Sequence, residues 1–214
     1  MAETSTKPMF PLEAVLLPDD DLPLRIFEPR YVQLLTDCLA SDREFGVVLI
    51  AAGREIGGGD QRYDVGTLAR IVEHQEYQAG RYRLLCRIGQ RIRVRDWLPD
   101  DPYPRAVVEP WPDEPGDTVT ADQLGNLEDQ IMTLFDRIAT ARAAELPSRY
   151  VLLGDAAPGT GAGDRLFTLA SRLPMGHADR YSVLAAPSAA DRLQALQDAL
   201  DTVVAMVDFQ LAGD

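Results

Sequence analysis

Two textures of apolar spacing divide the chain near residue 112. In the first half, the short apolar runs AVLL, LPLRIF, FGVVLIA, VGTLARIVEHQEY, YRLLCRI, RIRVRDWL and RAVVEPW alternate with clusters of Gly, Pro and Asp. Runs of that length between turn formers predict a mostly antiparallel sheet or barrel. One helix interrupts them: Tyr31, Leu34, Leu35, Cys38 and Leu39 fall at i, i+3, i+4, i+7 and i+8, one stripe along a helix from Pro29 to about Ala40. Pro29 suits the first helical turn, where a missing N–H costs nothing, and Glu28 supplies an acid beside it.

Beyond PWPDEPGD the spacing becomes helical. Leu124, Leu127, Ile131, Leu134 and Ile138 form one stripe, and Leu193, Leu196, Leu200, Val203 and Val207 form another. Ser188 and Asp191 make an acidic capping box after Pro187. Between the two long helices, GDAAPGTGAGD reads as a loop, and DRLFTLASRL and HADRYSVLAA as shorter helices broken at Pro174. Stripes of this kind make a helical bundle. The expected organisation is therefore α+β, with a β-rich unit over residues 1–112 and an α-helical bundle over 113–214.

Charge narrows the partners. Residues 1–112 carry 14 basic and 18 acidic side chains and residues 113–214 carry 7 and 16, for a total of −13. Such a field repels phosphate, so nucleic acid and anionic membrane are disfavoured partners. The N-terminus has no basic start followed by an apolar run, and no apolar stretch reaches bilayer length, which predicts a cytosolic protein. Cys38 and Cys86 each sit in an apolar segment and read as buried free thiols.

Lys7 is the only lysine and is expected in a frayed terminus. Without a second lysine the chain cannot build a phosphate-binding loop, a Schiff base or a Ser-Lys dyad. Gly57–Gly59 precede Asp60 and read as a hairpin loop. His74 and His177 have no metal-ligand spacing around them, and no GxSxG elbow is present, so neither a catalytic residue nor a metal or other cofactor is assigned.

Two stretches carry candidate binding chemistry. In RYRLLCRIGQRIRVRDWL, Arg81, Arg83, Arg87, Arg91, Arg93 and Arg95 share one parity, and Tyr82, Leu84, Cys86 and Ile88 the other. A Gly89-Gln90 turn would fold this segment into a hairpin with one arginine-rich face. That face is either an RNA-tracking patch, through Arg81, Arg83, Arg91, Arg93 and Arg95, or a solvated surface whose charges pair with neighbouring acids. With residue 77 opposite residue 81, Glu73 falls opposite Leu85, diagonal to Arg83 and Arg87 and placed to neutralise them. In LPLRIFEPRY, Leu24 and Ile26 point into the barrel, and Phe27 can staple against Val32. The cleft between barrel and first helix, with Phe27, Arg30 and Tyr31, is the candidate polypeptide-binding surface.

The stretches FPLEAVLLPDDDLPLRIFEPRY, FGVVLI, VGTLARI, GRYRLLCRIGQRIRVRDWLPDDPYPRAVVE and LFTLASRLPMGHADRYSVLAAPSAADRL resemble, in order, the N-terminal substrate-recognition domain of Lon proteases. They look more closely like the standalone bacterial proteins built from that domain alone. The resemblance covers roughly residues 8–210. It implies a PUA-like pseudo-barrel followed by a helical bundle. It also implies a non-enzymatic role in capturing unfolded or tagged polypeptides, as a client adaptor or chaperone-like protein, with a protease as a further partner. The ATPase and Ser-Lys protease domains of Lon are absent from these 214 residues. Oligomeric state and client identity stay open.

Overall fold

The computed structural model describes residues 3–52, 61–155 and 159–212. The glycine run at 57–59 and part of the GDAAPGTGAGD stretch lie outside the described residues. The fold is α+β, and the chain divides into two compact units, Met1–Pro112 and Asp113–Asp214.

The first unit contains strands β1 (Ser5–Leu12), β2 (Asp21–Ile26), β3 (Glu44–Ala52), β4 (Gln61–Gln78), β5 (Arg81–Leu98) and β6 (Arg105–Pro110), with helix α1 (Pro29–Leu39) between β2 and β3. The strand order is β2-β5-β4-β3-β1-β6, and β5 pairs with β6 as well. Five strands therefore close into a ring, and β2 hangs from β5 outside it. β1 and β3 run parallel, while the other pairings are antiparallel. Closure requires close approach at one point, where Gly66 of β4 faces β3. A Cβ at Gly66 would run into the carbonyl oxygen of Val47 and lie 2.7 Å from Val48 Cγ1.

Two apolar clusters fill this unit. One joins Phe10, Phe45, Ile71, Leu84, Cys86 and Ile88 of the sheet to Tyr31, Leu34, Leu35 and Cys38 of α1, and the other gathers Met9, Val48, Leu68, Ile92, Val94, Ala106 and Val108. The stripe at helical spacing thus seats α1 on the sheet.

Four local expectations fail for physical reasons. Lys7 is not in a frayed terminus: it lies within β1, half-buried between Asp42 and Glu44 and paired with both. AVLL is not a strand. Val15 and Leu17 are buried, but the backbone turns at once, with Leu17 N–H donating to Asp20 Oδ2 at 2.9 Å and Asp19 in the left-handed region at φ 68°.

Gly89-Gln90 is not a turn either. β5 runs unbroken through it, and the hairpin turn is Ala79–Gly80, with Gly80 at φ 69°. What Gly89-Gln90 does is bulge. Ile88 lies opposite Ala69 and Arg91 opposite Thr67, so three steps on β5 match two on β4. The extra residue reverses the face that each parity presents. Leu84, Cys86 and Ile88 accordingly enter the α1 cluster, whereas Ile92 and Val94 enter the other. Hence the six arginines of one parity do not share a face: Arg81, Arg83 and Arg87 lie on one side of the sheet and Arg91, Arg93 and Arg95 on the other.

The fourth failure concerns Glu73. It falls opposite Leu85, as the register arithmetic gives, but it makes no ion pair with Arg83 or Arg87 among the described residues. Arg87 pairs with Asp21 of β2 at 3.3 Å.

The second unit contains α2 (Ala121–Ala141), α3 (Arg149–Leu153), α4 (Ala162–Arg172), α5 (His177–Ala185) and α6 (Ala189–Ala212). Leu127, Ile131 and Leu134 of α2 and the whole α6 stripe from Leu193 to Val207 are buried. Reciprocal capping boxes start both long helices: Thr120 with Gln123, and Ser188 with Asp191. Each satisfies two backbone or side-chain groups that a helix start leaves open.

Candidate functional site

The end of β2, the start of α1 and the Ala79–Gly80 turn meet around one residue. Phe27 occupies the joint between strand and helix, just before the cap position Glu28, and it is 52% exposed. A hollow of about 230 Å³ on one side is lined by Phe10, Tyr31 and the run Pro23–Glu28. A second, of about 430 Å³, is lined by Phe27, Pro29, Val32, Gln33, Ala79, Gly80 and Arg81. Phe27 borders both, an aromatic ridge between two shallow hollows. Val32 shares the second hollow with it, at the spacing of the expected staple.

β2 pairs only with β5 among the described strands, so its other edge is unpaired. The run Pro23–Glu28 that lines the first hollow belongs to this edge strand and its exit. Pro23 has no N–H to offer, which blunts the edge against indiscriminate pairing.

Of the three residues expected here, two are placed at the surface. Tyr31 is buried at 4% exposure, correcting the expectation that it is partly open. Its ring stacks on Phe10 with centroids 4.2 Å apart, a geometry worth about 0.5–1.5 kcal/mol beyond area burial. Tyr31 belongs to the same apolar stripe as Leu34 and Cys38, which is why it faces the core. Arg30 lies over the Tyr31 ring at 4.5 Å and donates from Nε to Glu28 at 3.1 Å. It forms a rim over the floor that Tyr31 provides.

The arginines of β5 divide between the two faces. Arg91 and Arg93 lie over the Trp111 ring at 4.4 and 3.8 Å, and Arg91 is buried. Arg95 is paired with Glu109, which raises the Arg95 pKa and lowers that of Glu109. On the opposite face, Arg81 borders the second hollow, and Arg83 lies 4.9 Å from the Tyr77 ring and opposite Arg25 of β2. Arg25 reads as exposed in LPLRIFEPRY, but its place opposite Arg83 does not follow from the sequence, and the Ala79–Gly80 turn was not named. The AG pair between two apolar runs was the available signal.

Nothing around Phe27 is arranged for acid–base or nucleophilic work. Burial pushes both thiols up to about 12, so Cys38 and Cys86 stay protonated. Tyr103, away from the hollows, is also raised to about 12 by burial and by donating to Asp37 at 2.7 Å. His74 and His177 are exposed on β4 and at the start of α5. Among the described residues no group of three or more His, Cys, Asp and Glu is placed to hold a metal ion, and no helix is long and apolar enough to cross a membrane.

The fold is shared with known proteins. The family profile of the ATP-dependent protease La (LON) substrate-binding domain matches residues 6–202. Lon protease 2 of Thermus thermophilus is 26% identical over 211 residues, covering 96% of this chain but 25% of its own length. The chain thus spans about a quarter of that relative. A crystal structure of a Lon N-terminal domain protein from Xanthomonas campestris superposes with a TM-score of 0.63 at 28% identity, covering 91% of this chain and 98% of that one. The N-terminal domain of a Lon protease from the Mycobacterium avium complex gives 0.61 at 13% identity, covering 92% and 98%, and shares the fold.

Proposed function

The chain belongs to the Lon substrate-binding domain family, and from that premise we propose that it is a non-enzymatic module that captures extended or unfolded polypeptide at the Phe27 ridge. The observation that carries the reading is a half-exposed aromatic held between two hollows, beside an unpaired strand edge. An extended chain laid along β2 would cover Phe27 with an apolar side chain and set neighbouring side chains into the hollows. Main-chain pairing contributes less, because Pro23 withdraws one donor from the edge.

Covering the exposed part of one aromatic is worth about 1–2 kcal/mol. Several such contacts are needed for micromolar affinity, which suits a protein that releases its client to a protease or a refolding partner. Arg30 is held beside the floor by Glu28, so it shapes the rim of the site. The family match is to a substrate-binding domain and not to a catalytic one, which supports the non-enzymatic reading.

Fluorescence anisotropy with a labelled unfolded polypeptide tests the reading. Binding that weakens about tenfold in Phe27→Ala, a loss of about 1.4 kcal/mol, is the expected result. Equal binding by the wild type and the variant would move the site elsewhere.

A further inference from the structure

Three arginines lie on one face of the sheet near the Phe27 ridge: Arg25 and Arg81 each border one of its hollows, and Arg83 is the cross-strand neighbour of Arg25. Arg25 of β2 and Arg83 of β5 are directly opposite in the antiparallel register. Residues so placed have Cβ atoms about 4.5–5.5 Å apart, and like charges there repel. Arg81 lies two residues from Arg83 on the same face, about 7 Å along the strand. All three side chains are exposed, and among the described residues none has an ion pair.

Acids are close, yet committed elsewhere or out of reach. Glu28 is tied to Arg30, and Glu76 accepts from the Gly80 N–H at 3.0 Å. Glu73, on the same face, makes no ion pair with the three. Tyr77 contributes a ring to Arg83 but no charge. A chain with a net charge of −13 thus leaves its repelling arginines beside the exposed aromatic, whereas Arg70, Arg87 and Arg95 on the same three-stranded stretch each have a carboxylate.

From this juxtaposition we infer that the site selects polypeptide segments in which an apolar or aromatic residue is flanked by carboxylates, the apolar side chain meeting Phe27 and the carboxylates bridging Arg25, Arg83 and Arg81. The inference rests on the polypeptide-binding reading above and names its substrate class. A carboxylate placed between Arg25 and Arg83 replaces repulsion by two charge-assisted hydrogen bonds, so binding relieves a strain that the free protein carries. Arginine suits this role because its planar fork matches a carboxylate. The apolar hollows on both sides of Phe27 favour a peptide over a phosphate backbone.

The test uses two labelled peptides with identical apolar residues, one flanked by Glu and one by Gln, and a single-stranded RNA of the same charge as the Glu peptide. Each is titrated at low and at physiological salt against the wild type, an Arg25→Gln/Arg83→Gln double variant, Arg81→Gln and Phe27→Ala. All three variants change exposed side chains, and circular dichroism checks their folding.

The expected result is about tenfold tighter binding of the Glu peptide than the Gln peptide by the wild type. That ratio falls to within twofold in the double variant, chiefly through weaker binding of the Glu peptide, and Arg81→Gln gives a smaller loss of the same kind. If both peptides bind the wild type equally and both weaken in Phe27→Ala, the acidic preference is wrong while the polypeptide-binding reading stands. If neither peptide binds, both fall. RNA bound more tightly than the Glu peptide, and lost in the double variant, would assign the arginines to nucleic acid and overturn the inference.

Discussion

Arginine is used in opposite ways at two places, one in each unit. In the helical unit it is a structural residue: Arg192 has no exposed side-chain surface, donates to both oxygens of Asp113 at 3.0 and 2.5 Å, and lies over the Phe167 ring at 3.8 Å. Arg165 is almost as buried, holding Glu128 through Nε and Nη2 and the carbonyl of Leu153 through Nη1. In the barrel unit, Arg25, Arg81 and Arg83 stand exposed and, among the described residues, have no ion pair. The difference separates charges that the fold needs from charges that it does not. A buried guanidinium must have partners to survive desolvation, whereas an exposed one placed opposite its like repels it at a small cost to the fold.

The contrast can be broken first in the helical unit. Glu128→Ala leaves Arg165 buried without its carboxylate and is expected to destabilise that unit by about 3 kcal/mol, within the usual range for stranding one partner of a buried pair. Thermal unfolding followed by the helical circular dichroism signal should show Tm falling by about 12 °C or more, at about 4 °C or more per kcal/mol for a unit of this size. The barrel has its own weak point. Gly66→Ala drives a Cβ into the Val47 carbonyl, which cannot yield as a flexible side-chain tip can. A loss of about 2–3 kcal/mol is expected, at the upper end of overpacking costs, read by urea denaturation with tryptophan fluorescence.

Acid distinguishes the paired from the unpaired charges. Burial alone would raise the Glu128 pKa, but hydrogen bonds from Arg149 and Arg165 outweigh it and hold the carboxyl below its ordinary 4.5. A carboxylate lowered in the folded state adds stability above its unfolded pKa and loses it as pH falls through the lower folded value. Helical-unit stability should therefore be level above about pH 5 and fall below about pH 4.5, and Glu128→Gln should flatten that fall in a melting series from pH 6 to 3. At the small end, Arg25→Gln removes the like-charge pair with Arg83 and should raise Tm slightly, by a few tenths of a kcal/mol in stability. A clear loss of stability in this variant would mean that Arg25 is structural, as Arg192 is.

Much of this was legible in the chain itself, and the failures have common causes. Where apolar residues repeat at helical spacing, as along α1 and α6, spacing alone places the buried face. Tyr31 was misread as part of the open surface, although it opens the stripe that predicts α1 and its burial follows from that membership. The bulge at Gly89-Gln90 was not, because glycine beside a polar residue reads equally well as a turn, and only pairing with β4 decides between them. That single extra residue splits the arginine row into two faces. AVLL misled for the opposite reason: its apolar side chains are needed in the core, while its backbone is taken up by the turn at Asp19 and Asp20. The meeting of Phe27 with Arg81 and of Arg25 with Arg83 depends on contacts more than 50 residues apart in the chain, which local patterns do not carry.

The most direct measurement is the affinity of a labelled unfolded polypeptide for the wild type and for Phe27→Ala at physiological salt, with both proteins shown to have the same Tm. The account predicts about tenfold weaker binding by the variant and unchanged stability. Equal affinities, or a loss of binding explained by a lower Tm, would contradict the claim that the Phe27 ridge is where this protein holds its clients.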